Sequence, residues 1–203
     1  DDRTIRRVLL TMASFSLFCL PFVVHVPVLA EHNLGIEADS GAYGLFYACM
    51  GTGAVIGSLS IGTIFATASK RRLVRKGLAL FAVSVLVLAL ARSAALAYPM
   101  MIVVGTAYFG TVTSLSTVLQ EHLDDRVRGR VMALWVMCFG GTVPIGGIIA
   151  GYVIDATSIT AVMLFGAGMA AVLGLYAYLF TTEPSARRAR RLAPASAVDE
   201  ALG

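Results

Sequence analysis

Residues 131–154 contain no charged side chain. At about 1.5 Å of rise per residue, a helix of that length crosses the hydrocarbon core of a bilayer, roughly 30 Å thick. The run is rich in glycine, and a short charged segment, EHLDDRVRGR over 121–130, leads into it. A charged entry followed by so long an uncharged stretch suits lipid better than water. Five further apolar stretches are long enough, or nearly so, to do the same. The predicted spans are 8–30, 41–66, 77–97, 98–119, 131–154 and 158–180. Composition agrees, with 58% hydrophobic and 14% charged residues, where soluble domains carry about a quarter charged. The expected fold is therefore all-α, a polytopic membrane bundle of six transmembrane helices over 1–180. The Ala-, Pro- and Arg-rich stretch 181–203 is expected to be a disordered basic cytoplasmic tail.

Orientation follows from the basic residues. With six spans, all sixteen Lys and Arg except Arg92 fall on one side. They lie at Arg3, Arg6 and Arg7, at Lys70 to Lys76, at Arg126, Arg128 and Arg130, and in the tail at Arg187, Arg188, Arg190 and Arg191. Basic loops stay in the cytoplasm, so both termini are expected there. The net charge of +4 is thus a topology signal at helix ends and not a nucleic-acid patch. Cys19, Cys49 and Cys138 lie inside apolar runs and read as small packing residues. No Cys/His cluster has metal-ligand spacing, so neither a metal nor a cofactor is expected. The chain opens on Asp-Asp-Arg, which is no signal-peptide start, and reads as a cut or processed beginning of something longer.

The glycines of the second and fifth spans include Gly53-x-x-x-Gly57 and, after Pro144, Gly146 and Gly147-x-x-x-Gly151. Small residues let helix backbones approach in lipid, where apolar burial gives no drive to associate. The pattern suits static packing or a surface on which a second bundle rocks, and Pro144 softens the fifth span as a hinge. The matching placement of the two Gly-rich spans, each beside a basic loop, suggests two inverted three-helix repeats.

His25, between Pro21 and Pro27, is the ionisable group deepest in a span. A charge at a span centre costs about 2.5–3.5 kcal/mol on insertion scales, so such groups usually face a cavity or a hydrogen-bond partner. Phe22 beside it, and Tyr108, Thr111, Thr113 and Thr117 on the fourth span, complete the candidates for a substrate cavity. The Ser/Thr set is equally suited to bonding its own helix carbonyls. Arg72, Arg75, Asp124, Arg128 and Arg130 are candidates for a cytoplasmic latch, or for ordinary topology charges with surface ion pairs. No span centre holds Asp or Glu, so a carboxylate proton relay is absent from the predicted spans. An enzyme is not expected: Ser58 in GSLSIG only faintly imitates an intramembrane nucleophile, and His25 lacks an orienting partner.

LQEHLDDRVRGRVMALW followed by GTVPIGGIIAGYV resembles the carboxy-terminal half of major facilitator superfamily transporters. Within these it is most similar to the drug and siderophore exporters, the transmembrane secretion effectors that include enterobactin and macrolide exporters. Arg128-Gly129-Arg130-Val131-Met132 and Pro144-Ile145-Gly146-Gly147 carry the specific part, and the likeness extends over residues 5–180. It implies half of a twelve-helix protein in a bacterial inner membrane, moving lipophilic small molecules or siderophores outward by alternating access. It also implies an antiporter coupled to protons and a missing amino-terminal six-helix half as partner. The first and fourth spans would line the cavity, and the second and fifth would flank the missing half. Two departures stand out. Thr67 and Arg71 replace the Gly and Asp of the family's cytoplasmic loop signature, of which Arg72-x-x-Arg75-Lys76 survives. Pro144 has one residue, not two, before its Gly pair. The competing expectation is a six-span packing or scaffold module without transport, or a half-size transporter that pairs with itself.

Overall fold

The computed structural model describes residues 2–181, and the predicted tail beyond Thr181 lies outside them. The described residues are helical almost throughout, with no strand among them. α1 (Asp2–Ser14), a π-helical segment (Phe15–Cys19), α2 (Pro21–Val24) and α3 (Val26–Leu34) follow in succession. Then come α4 (Gly41–Gly62), α5 (Lys70–Leu90) and α6 (Ala94–Gln120). α7 (Asp125–Val136) runs through a second π-helical segment (Met137–Gly141) into α8 (Thr142–Ala156), and α9 (Ile159–Thr181) ends the described chain.

Five of these units are long and apolar enough to span a membrane: α4, α5, α6, the α7–α8 rod and α9. The stretch predicted as the first span differs. It is helical, but the π segment and a break at His25 divide it into pieces. The helix ends also differ from those expected. The basic residues from Lys70 to Lys76 form the first turns of α5, and Asp125 to Arg130 open α7. Lys and Arg are good helix formers, so a helix continues through them once it leaves the hydrocarbon.

Local chemistry fixes several ends. Ser40 caps α4 by accepting from the Tyr43 amide at 3.2 Å, and Asp124 caps α7 by accepting from the Arg126 amide at 3.1 Å. Gly35 ends α3 with φ of 65°, a left-handed turn that favours glycine. The Lys70 ammonium donates to the carbonyls of Phe65 (2.7 Å), Ala66 (2.9 Å) and Ile61 (3.3 Å), closing the turn after α4.

α6 lies at the heart of one side of the bundle, with α4 and α5 packed along it. α5 also runs along α9, and α9 touches the first π segment and α2. α8 packs on α2 and on the same π segment. Half of α6's apolar window is buried, against 17% for the α7–α8 rod, which is therefore peripheral. The α4–α6 contact is built on glycine. A β-carbon at Gly53 would collide with the carbonyl of Ile102 and one at Gly57 with that of Thr106, while one at Gly105 would strike the carbonyl of Met50. These are the close backbone approaches that small residues permit in lipid.

Candidate functional site

The cavity candidates fall on the broken first helix and on α6. Phe22 and Tyr108 are brought together in one buried aromatic cluster. Phe15 meets Phe81 edge-on at 5.0 Å, and Phe22 lies 6.2 Å from Phe81. Tyr108 sits 6.1 Å from Phe15 and 6.4 Å from Phe139. Such pairs favour tilted and edge-on geometry because the ring face is negative and the edge positive. Thr111, one turn along α6, is fully buried; its hydroxyl donates to the Ala107 carbonyl at 2.7 Å and packs against Gly77. Thr113 and Thr117 are half-buried, and the Thr117 hydroxyl donates to the Thr113 carbonyl at 2.8 Å. Two of these three threonines therefore bond their own helix. Thr117 stands about 14 Å along the axis from Tyr108, so the set is a line and not a ring.

His25 sits where α2 gives way to α3. Its Nδ1 lies 3.1 Å from the Pro21 carbonyl. A carbonyl only accepts, so Nδ1 carries a proton, which leaves Nε2 as the ring nitrogen without a hydrogen bond among the described residues. Nε2 faces α8, at 3.4 Å from where a β-carbon on Gly151 would lie.

The hinge candidates of α8 pack against the same broken helix. A β-carbon on Gly146 would come within 2.5 Å of the Leu17 carbonyl and 3.0 Å of the Pro21 ring. One on Gly147 would meet the Val24 side chain at 3.3 Å. Each π segment holds the carbonyl four residues before a proline, Leu17 before Pro21 in one case and Gly140 before Pro144 in the other. A proline lacks the amide that would bond the carbonyl four residues back, and the ladder widens to absorb the loss. The two segments are tied directly: the Ser16 hydroxyl, fully buried, donates to the Phe139 carbonyl at 2.8 Å. Neither π segment nor this bond was anticipated. Only Pro21 and Pro144, two of the prolines inside apolar runs, hint at them.

The latch candidates divide between two helix starts. Arg128 pairs with Asp125 at 3.3 Å on the exposed face of α7, a geometry worth about 0–1 kcal/mol. Asp124 is occupied as the α7 cap. Arg75 lies over the Tyr178 ring, 5.0 Å from its centre, joining α5 to α9. Among the described residues no ion pair joins Arg72 or Arg75 to Asp124, or engages Arg130. Arg71 contacts His122 Nε2 at 3.4 Å, and His122 Nδ1 in turn bonds the Val118 carbonyl at 2.8 Å.

Residues 1–202 match the protein family described as transmembrane secretion effector. The chain is also similar to an uncharacterized MFS-type transporter of Sinorhizobium fredii, 28% identical over 157 residues. That alignment covers 77% of this chain but 38% of the relative's length.

Proposed function

Because the chain belongs to the transmembrane secretion effector family of major facilitator superfamily proteins, we propose that it is one six-span lobe of an efflux transporter. The family match along the whole chain carries this reading. The lobe would be the carboxy-terminal one of two, and its partner an amino-terminal six-helix half. The broken first helix would bring the five long helices to six spans, its pieces together crossing the bilayer. The helix pairing supports a built-in repeat: exchanging the first helix for α6, α4 for the α7–α8 rod and α5 for α9 leaves the main contacts in place. An odd number of spans per unit inverts the second unit relative to the first.

In this reading the first helix and α6 form the moving wall of the cavity. The prolines, the paired π segments and Gly146 give that wall its bend. His25, with Nε2 open to a proton or a substrate donor, is the candidate for coupling; Phe22 and Tyr108, buried in the aromatic cluster, would meet a lipophilic substrate once that wall bends open. Arg72, Arg75, Asp124, Arg128 and Arg130 would hold one conformation at the basic rim. Outward movement of lipophilic drugs or siderophores against protons, across a bacterial inner membrane, is the activity this assigns.

The test uses the complete protein in cells lacking their own exporters. Expression should lower accumulation of some members of a panel of lipophilic drugs and siderophores, and a proton uncoupler should abolish the effect. His25→Ala should leave the protein in the membrane while flattening the pH dependence of efflux. An unchanged profile would remove His25 from the mechanism, and no effect on any compound would favour a packing module without transport.

A further inference from the structure

We propose that the cleft between α4 and α5 is a binding site for one anionic phospholipid, with an acyl chain in the cleft and the phosphate at its basic mouth. α4 and α5 both lie along α6 but scarcely touch each other. Each is drawn onto α6 by its own close contact, Gly53 and Gly57 for α4 and Gly77 against Thr111 for α5. The wedge left between them is a groove of about 670 Å³.

Its floor is made of small residues, Gly57, Ala107 and Gly110, and its walls of Ile61, Leu73 and Leu80. A β-carbon on Gly110 would touch only the Gly57 backbone at 3.8–3.9 Å, so the floor is low because the sequence keeps it low. At the mouth stand Arg72 and Lys76, one helical turn apart on the same face of α5, with the Ser69 hydroxyl making no cap bond beside them. Neither cation has an ion-pair partner among the described residues. A second, polar recess lined by Ser69, Arg71, Arg72 and Arg75 continues the mouth outward.

The groove thus changes from cationic to apolar over about 12 Å of α5, from Arg72 to Leu80. That gradient matches a phospholipid entering from the leaflet at which the basic rim lies: charge at the headgroup level, hydrocarbon below. A free inorganic anion would satisfy the mouth and leave the apolar walls empty. A neutral lipid would fill the walls and leave two cations unpaired. The site does not depend on transport, so it stands or falls separately from the activity proposed above.

The complete protein is reconstituted in phosphatidylcholine vesicles doped with phosphatidylglycerol carrying a photoactivatable acyl chain. Crosslinks are mapped by mass spectrometry, with a phosphatidylcholine probe in parallel. Crosslinks should concentrate on Ile61, Leu73 and Leu80, with phosphatidylglycerol favoured roughly tenfold or more, as two interfacial cations imply. Arg72→Gln with Lys76→Gln should bring the two probes near parity, whereas Arg128→Gln, on the same rim but away from the groove, should not. Gly110→Leu, whose β-carbon meets the Gly57 backbone no closer than 3.8 Å, should occupy the groove and reduce labelling by both probes. Even labelling of all lipid-facing helices, equal preference in the wild type, an equal effect of Arg128→Gln, or displacement by millimolar inorganic phosphate would each overturn the proposal.

Discussion

Gly53 and Gly51 stand two residues apart on α4 and meet opposite fates. A side chain at Gly53 would enter the backbone of α6, whereas one at Gly51 would meet nothing within 4 Å. Overpacking a core costs about 1–3 kcal/mol when side chains can yield, and backbone carbonyls yield less. Gly53→Leu is therefore expected to lower the melting temperature in detergent and the folded yield, while Gly51→Leu leaves both near wild type. Equal tolerance of both would mean that α4 does not sit on α6 this way. Ser114 offers the reverse case. Its hydroxyl is fully buried on α6 and has no partner among the described residues, although a serine in a membrane helix ordinarily bonds the carbonyl a turn back. An unsatisfied buried hydroxyl costs on the order of 1–3 kcal/mol, so Ser114→Ala should be neutral or stabilising in the same melt. A clear loss of stability would show that the hydroxyl has a partner in the membrane.

At the level of the helix, the two π segments decide how the broken first helix and the α7–α8 rod meet. The Ser16–Phe139 bond crosses between them, and the carbonyl of Leu17, four residues before Pro21, lies against Gly146. Hydrogen bonds between membrane helices are worth about 0.6 kcal/mol on average and up to about 1.7. Ser16→Ala should thus cost a small, measurable part of the thermal stability. Gly146→Leu should cost far more than Gly147→Ala, because Gly146 faces a carbonyl and Gly147 a valine side chain that can turn; comparable losses would count against the contact. The five long helices were readable from sequence because an uncharged run of sufficient length has one comfortable state in lipid. The π segments were not, since a ladder slip leaves no periodic mark and two prolines predict a break without saying how it is repaired. Helical Lys70 to Lys76 were missed for a related reason. Positive charge locates the membrane edge, and helix propensity, not hydropathy, decides where the helix begins. Among the site candidates, the spacing of Tyr108 and Thr111 on one helix was legible, but the rings of Phe15, Phe81 and Phe139 that surround Tyr108 come from three other stretches and only the packing assembles them.

For the whole molecule, the question is which way the bundle faces. The basic residues described at α1, α5 and α7 lie at one end, and Arg92, which donates to the Ala89 and Ala91 carbonyls at 3.1 and 3.0 Å, lies in the turn between α5 and α6. The turn between α3 and α4, with Glu37 and Asp39, is acidic. Moving Lys- and Arg-rich segments across a membrane is opposed during insertion, which is the origin of the positive-inside bias. Asp39→Cys should therefore react with a membrane-impermeant maleimide in intact cells, and Arg128→Cys only after the cells are opened. The two positions are separated by α4, α5 and α6, three crossings, so they must lie on opposite sides if each of those helices spans. Labelling of both from outside would mean that one of the three does not cross. The reverse pattern would turn the bundle over, placing the basic rim, the α5 mouth and the proposed lipid in the outer leaflet. The expected pattern fixes the rim in the cytoplasm, where the phospholipid leaflet and the neighbouring lobe would both reach it.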